Sequence, residues 1–205
     1  MKIKFSILIL LIALLLASCG NQLKVLPQAD INLSIATGEE GASSQIREDV
    51  TIDTEKGTIE FLTEGSSLVA SANSGSLGVN INSYTIDYFY ADGTQIETAT
   101  GASYRGNIAL KVPGGWLCPK PAEGEAVLVC DVNTKGSVPA TGPTVSSNSF
   151  SPMAGDIIGK LWNESDGISR SGAYAMISVE GTDANGNHYS KKMEPVTIVF
   201  SVFYR

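Results

Sequence analysis

His188 is the only histidine in the chain, and an imidazole that titrates near neutral pH is the natural general base of a hydrolase. No Gly-x-Ser-x-Gly or other nucleophile motif accompanies it. It follows Asn185-Gly186-Asn187 directly, so it reads as a strand-end surface residue. Asp183, Asn185 and Asn187 are spaced like part of a calcium loop, but Gly186 comes too early for an EF-hand and no bidentate Glu follows at the required distance. That triplet reads as turn chemistry. Asp87, Asp131, Glu164, Asp166 and Glu180 are carboxylates of the kind glycoside hydrolysis uses in pairs at a defined separation, and nothing in their order along the chain pairs them. Trp116, Trp162, Tyr104 and Tyr174 would form a sugar-binding platform if exposed in a row, although packing in a core is the expectation for large aromatics. Two cysteines, Cys118 and Cys130, with one distant histidine do not make a zinc site by spacing. No catalytic residue, metal or cofactor is expected.

The elements that position these residues begin with an address. Lys2 and Lys4 precede an almost unbroken apolar run through Ala17, the shape of a secretory signal. The run is shorter than the roughly 20 apolar residues a membrane-spanning helix needs. Its ending, Leu16-Ala17-Ser18-Cys19, resembles the lipobox of bacterial lipoproteins. The resemblance implies cleavage before Cys19, diacylation of its thiol and acylation of the new amine. Gly20 at the next position, where Asp would favour inner-membrane retention, points the expectation to the outer membrane. Each buried methylene contributes about 0.8 kcal/mol, and more than one chain is needed to hold a protein in place, so a lipidated Cys19 would stay anchored.

Removing Lys2 and Lys4 from the 14 basic residues leaves 12 against 21 acids, so the formal charge moves from −7 to −9. An acidic balance without a Lys/Arg run argues against nucleic acid or anionic headgroups as partners. In an exported protein two remaining cysteines are expected to pair. A disulfide between Cys118 and Cys130 would close the loop that begins at Pro119.

Downstream of the signal, period-two segments rich in Val, Ile, Tyr, Phe and Thr recur, and no helical apolar pattern persists for three turns. Residues 19–46 read as the lipidated cysteine and a tether, with a reach of about 30 Å if flexible; Ile31, Leu33 and Ile35 alternate within it as an edge strand would. The domain proper is expected over 47–205. Residues 49–53 and 58–62 form one hairpin, and 83–90 with 94–98 a second around Ala91-Asp92-Gly93. Ile108, Leu110 and Val112 alternate before Pro113-Gly114-Gly115 ends their strand. Residues 135–152 are rich in Gly, Ser, Thr, Pro and Asn and read as a long exposed loop, the first place to look for a binding surface. The last hairpin turns at Asn185-Gly186, after which Val196, Ile198, Phe200, Val202 and Tyr204 line one face, with Val199 and Phe203 suggesting partial burial of the other.

Two stretches, residues 83–93 (SYTIDYFYADG) and 179–187 (VEGTDANGN) with the strand that follows, resemble immunoglobulin-like or fibronectin type III-like modules of bacterial surface proteins. That resemblance covers roughly residues 50–204. It departs from antibody-type domains, because Cys118 and Cys130 are too close to form the long-range pair between sheets. The expected fold is all-β, an immunoglobulin-like antiparallel two-sheet sandwich after a lipoprotein signal peptide over residues 1–18. Seven or more short strands separated by turns argue for a sandwich independently.

The expected function is a non-enzymatic structural or protein-binding module, held to the membrane through Cys19 and meeting an envelope protein partner. The alternative is a carbohydrate-binding or hydrolytic envelope protein, which a row of exposed aromatics or two close carboxylates in a cleft would favour.

Overall fold

The computed structural model describes residues 27–37, 45–119, 130, 132–163 and 172–205. The signal peptide, Cys19, Asp131, Glu164, Asp166 and the segment 120–129 between the two cysteines lie outside the described residues.

The chain is all-β, with thirteen strands and one short helix among the described residues. Sequence period decides most of them. In β5 (Val79–Phe89) the buried residues Val79 and Ile81, then Tyr84, Ile86 and Tyr88, alternate with exposed or half-buried ones. The phase slips at Asn82, an extra residue opposite β11 (Tyr174–Asp183), where the register moves from Glu180↔Ser83 to Gly181↔Ile81. Gly181 suits that bulge because a Cβ there would collide with the Asn80 carbonyl.

Two sheets face one another across a single apolar core, a sandwich-like arrangement. The smaller has the order β1 (Ile31–Thr37), β4 (Ser66–Ala72), β10 (Val145–Ser146). The larger runs β3 (Thr58–Thr63), β2 (Gln45–Asp53), β13 (Val196–Tyr204), β11, β5, β6 (Gln95–Ile96), with β12 (His188–Lys192) paired to β11 and β7 (Tyr104–Val112) to β5. A separate ribbon joins β8 (Trp116–Leu117) to β9 (Val138–Pro139). Ile31, Ile35 and Leu68 from the smaller sheet meet Ile86, Tyr88, Ile177 and Val179 from the larger. Apolar burial of this kind contributes about 25 cal/mol per Å² removed from water.

Three features depart from the sequence reading. The larger sheet is mixed rather than antiparallel, because β13 runs parallel to β2 from Thr197↔Gln45 to Tyr204↔Ile52. Apolar alternation marks a strand but carries no information about the direction of its neighbour. The core also starts before residue 47: Ile31 and Ile35 are buried on β1, which zips onto β4 over seven residue pairs. Finally, residues 135–152 are not simply an exposed loop. They supply β9 and β10, and Phe150 packs against the core with its ring tilted against Tyr84 at 4.7 Å.

Helix α1 (Gly155–Asn163) was not legible as a helix, since it makes only about two and a half turns. Ile157, Ile158, Leu161 and Trp162 nevertheless form one buried stripe. Asp156 in the first turn suits the helix dipole and accepts the Ala99 amide at 2.5 Å. Lys160 donates to the Glu97 carbonyl.

Candidate binding surface

Among the described residues, those that suggested chemistry are dispersed. Asp183 spends its carboxylate on its own turn: Oδ1 accepts the amides of Asn185 and Asn187, each at 2.9 Å, and Oδ2 accepts Asn187 Nδ2 at 3.1 Å. Slight desolvation raises its pKa, but those bonds outweigh it and hold the group below the usual carboxylate range. Gly186 has φ +83°, the conformation the turn requires. His188 is exposed at the start of β12, opposite Thr182.

Asp87 and Glu180 cannot act as a glycosidase pair. Glu180 lies opposite Ser83, four residues along β5 from Asp87, a separation of roughly 13 Å at the strand rise, whereas such pairs stand about 5 to 9.5 Å apart. Asp87 instead accepts the Ser103 hydroxyl at 2.5 Å.

The aromatics form no row. Trp116 donates its Nε1 to the Ser76 carbonyl at 3.0 Å, Tyr174 stacks on Phe89 at 5.1 Å, Tyr104 leans on Tyr84, and Trp162 is buried on the inner face of α1. Cys118 and Cys130 are both half-buried, and the described structure contains no bond between their sulfurs. Among the described residues no cluster of three or more His, Cys, Asp or Glu exists that could hold a metal.

A cleft of about 270 Å³ opens where β5 starts and β7 ends, lined by Gly78, Val79, Val112, Pro113, Cys130 and Ala184, with Asn80 and Lys111 as its polar side chains. Their amide and amine offer hydrogen bonding and charge for recognition.

The other candidate is the arm formed by β3, β2 and the far half of β13. Ile59 is 47 %, Leu62 67 %, Phe203 53 % and Tyr204 72 % exposed, with Phe61 also exposed. On the face expected to be partly buried, Val199 is half-buried and Phe203 is exposed. β3 ends the sheet, with no strand on its outer side among the described residues. Its register with β2 places Ile59 opposite Ile52, Phe61 opposite Val50 and Thr63 opposite Glu48. Across the parallel ladder Phe200, Val202 and Tyr204 lie beside Glu48, Val50 and Ile52. One face of the arm is therefore apolar and aromatic. Trp162 packs edge-on against its Phe61 at 5.8 Å and lies 6.4 Å from Phe200. The opposite face carries Arg47, Asp49, Glu60, Leu62 and Phe203.

Glu48 is the anomaly of the apolar face. It is fully buried, and neither carboxyl oxygen has a hydrogen-bond partner among the described residues. Burial pushes its pKa up, and the Thr63 side chain across the ladder works against that shift without cancelling it. A charged residue at the inward position between Ile46 and Val50 breaks the apolar alternation, so the sequence pattern does not mark this one as pointing inward.

No protein-family model matches the chain, and no curated protein matches it. Among solved structures, one provisionally described as the ApaA protein of Bordetella pertussis is 8 % identical, covers 84 % of this chain and 96 % of its own, and has a TM-score of 0.31. An X-ray structure of a Northeast Structural Genomics Consortium target is 9 % identical, covers 81 % and 82 %, and has a TM-score of 0.26. Likenesses of this size assign no relationship and carry no functional argument.

Proposed function

We propose that this protein is an envelope lipoprotein, acylated on Cys19 and held at the outer membrane, whose immunoglobulin-like sandwich is a non-enzymatic protein-binding module with its docking surface on the β2–β3–β13 arm. The observation that carries the reading is the set of exposed apolar side chains at Ile59, Phe61 and Tyr204, which continue through Ile52 and Val202 on one face of the arm, with Leu62 and Phe203 exposed on its other face. Scattered exposed apolar residues need no explanation, but a contiguous patch beside an open edge is characteristic of an interaction site. The separation of Asp87 from Glu180, and the dispersal of the four aromatics, support this reading over a hydrolase or a sugar-binding platform, while Asp131, Glu164 and Asp166 lie outside the described residues. A disulfide between Cys118 and Cys130 belongs to the same reading, as reinforcement of an exported domain.

The test is a photo-crosslinking residue at Leu62 in the membrane-bound protein. A discrete adduct with an envelope protein, lost when the crosslinker is moved to exposed Lys192 on β12, is the expected result. Absence of any adduct, or a hydrolytic turnover abolished by His188→Ala, would overturn the proposal. In parallel, Cys19→Ala is expected to abolish lipid labelling and release the protein from membranes; retention without label would reject the anchor.

A further inference from the structure

We infer that the arm binds its partner by strand addition: an extended segment of another protein, apolar on one face and basic on the other, pairs with the open edge of β3. This rests on the reading above that the arm is the docking surface, and it specifies the occupant. β3 offers six residues in unbroken register with β2, with no bulge to twist its edge away. Its sequence, TIEFLT, has no proline and no lysine, the residues that commonly blunt such edges. A row of main-chain donors and acceptors is therefore available to a seventh strand in this sheet path, the mode in which backbone bonds give affinity and alternate side chains give specificity.

The two faces of the arm define the side chains of that strand. Residues pairing beside Ile59 and Phe61 extend the apolar face that continues through Val50 and Phe200 to Trp162. Residues beside Glu60 meet a carboxylate that is exposed and has no ion pair among the described residues. The nearby Lys56 ammonium is held by Asp53 at 2.8 Å and does not neutralise it. Asp49 and Leu62 lie on the same face as Glu60, and Arg47 on that face lies beyond the last residue pair of the β2–β3 ladder, away from Glu60. Lysine or arginine at alternate positions of the incoming strand satisfies this face.

Charge also argues against a second copy as the occupant. In an antiparallel pairing of two β3 edges about the sheet normal, only residues of like face can stand opposite one another. Centring on Glu60 sets the two carboxylates face to face, and centring on Phe61 leaves them about 7 to 8 Å apart on the diagonal. Either register adds repulsion that a basic strand converts into attraction.

The probe is a fluorescent nonapeptide of alternating Val and Lys, titrated onto the full chain purified from membranes in detergent. It is compared with an alternating Val and Glu peptide, and with two Val–Lys peptides N-methylated on either set of alternate amides. Expected results are affinity at least tenfold tighter for Val–Lys than for Val–Glu, loss of binding with one N-methylation pattern, and reversal of the charge preference in Glu60→Lys. Glu60 is exposed, so that variant retains the fold, which circular dichroism checks. Equal binding of both charge patterns, indifference to both N-methylation patterns, binding only to lipid vesicles, or dimerisation that excludes the peptide would each overturn strand addition. A Leu62 adduct combined with any of these outcomes rejects the occupant while keeping the docking surface, whereas absence of the adduct rejects the surface itself.

Discussion

The Tyr88 hydroxyl donates to the Pro152 carbonyl at 2.9 Å and accepts the Ala154 amide at 3.2 Å, tying the centre of the large sheet to the residues that enter α1. The ring is fully buried, and burial pushes the phenol far above its ordinary pKa, so it stays a neutral donor at any physiological pH. Tyr88→Phe leaves a buried carbonyl and amide without their shared partner. The expected loss is about 1 to 3 kcal/mol, read as a lower urea midpoint with unchanged slope. An unchanged midpoint would mean that α1 contributes little to folding.

Gly106 lies directly opposite Tyr84 in the β5–β7 ladder, and a Cβ at Gly106 would overlap the tyrosine ring and hydroxyl. The ring cannot swing clear easily, because it is 5 % exposed and held between Phe150 and Tyr104. Gly106→Ala is expected to cost about 1 to 3 kcal/mol through overpacking and to change the near-ultraviolet circular dichroism. Retention of both stability and spectrum would show that the ring has room to move.

Much of the sheet was legible because burial follows alternation. The hairpin at Thr54-Glu55-Lys56-Gly57 forms in the expected register, Ile52↔Ile59 and Val50↔Phe61, and Tyr84, Ile86 and Tyr88 all point inward. What escaped was information that no local period holds. β10 needs only Val145 to touch the core, and its segment is secured by main-chain bonds such as Ser147 N to the Leu68 carbonyl at 2.8 Å and Phe150 N to the Ser66 carbonyl at 2.8 Å. A stretch poor in apolar residues thereby completes a sheet. The arm escaped for the opposite reason. Phe61 and Phe203 look like core residues in sequence, and only the order β3–β2–β13 places them at the exposed side of the sheet.

Removal of residues 136–151 is consequently expected to destabilise the domain rather than trim a loop. It deletes β10 and Phe150, and with them the partners of Leu68, Ser66 and the Tyr84 ring. Loss of a cooperative thermal transition, or a Tm lowered by 10 °C or more by order-of-magnitude scaling of several kcal/mol, is the expected readout. A deletion variant as stable as the parent would restore the reading of this segment as a dispensable loop.

A bond between Cys118 and Cys130 would close a loop of about a dozen residues, for which chain entropy gives roughly 3 kcal/mol. Non-reducing peptide mapping of protein taken from the envelope is expected to recover the linked peptides, and reduction to lower the unfolding temperature. Two alkylatable thiols in that material would refute the pairing.

Glu48 supplies the pH dependence. Its folded pKa is raised above the ordinary value of 4.5, chiefly by burial, so the native state holds its proton to higher pH than the unfolded chain does. Between those two pKa values the folded form binds more protons, and linkage makes stability fall as pH rises. The contribution is fully present below about pH 4.5 and lost once pH passes the raised folded value. Other titrating groups superimpose their own slopes, so the test is a difference: Glu48→Gln against the parent, unfolded in urea from pH 4 to pH 8. Glutamine keeps the shape but carries no charge to desolvate. The variant is expected to gain on the parent as pH rises, reaching about 1 to 2 kcal/mol at pH 8, within the range for relieving an uncompensated buried charge. A difference that stays flat across this range would mean that Glu48 ionises as freely in the folded arm as in the open chain.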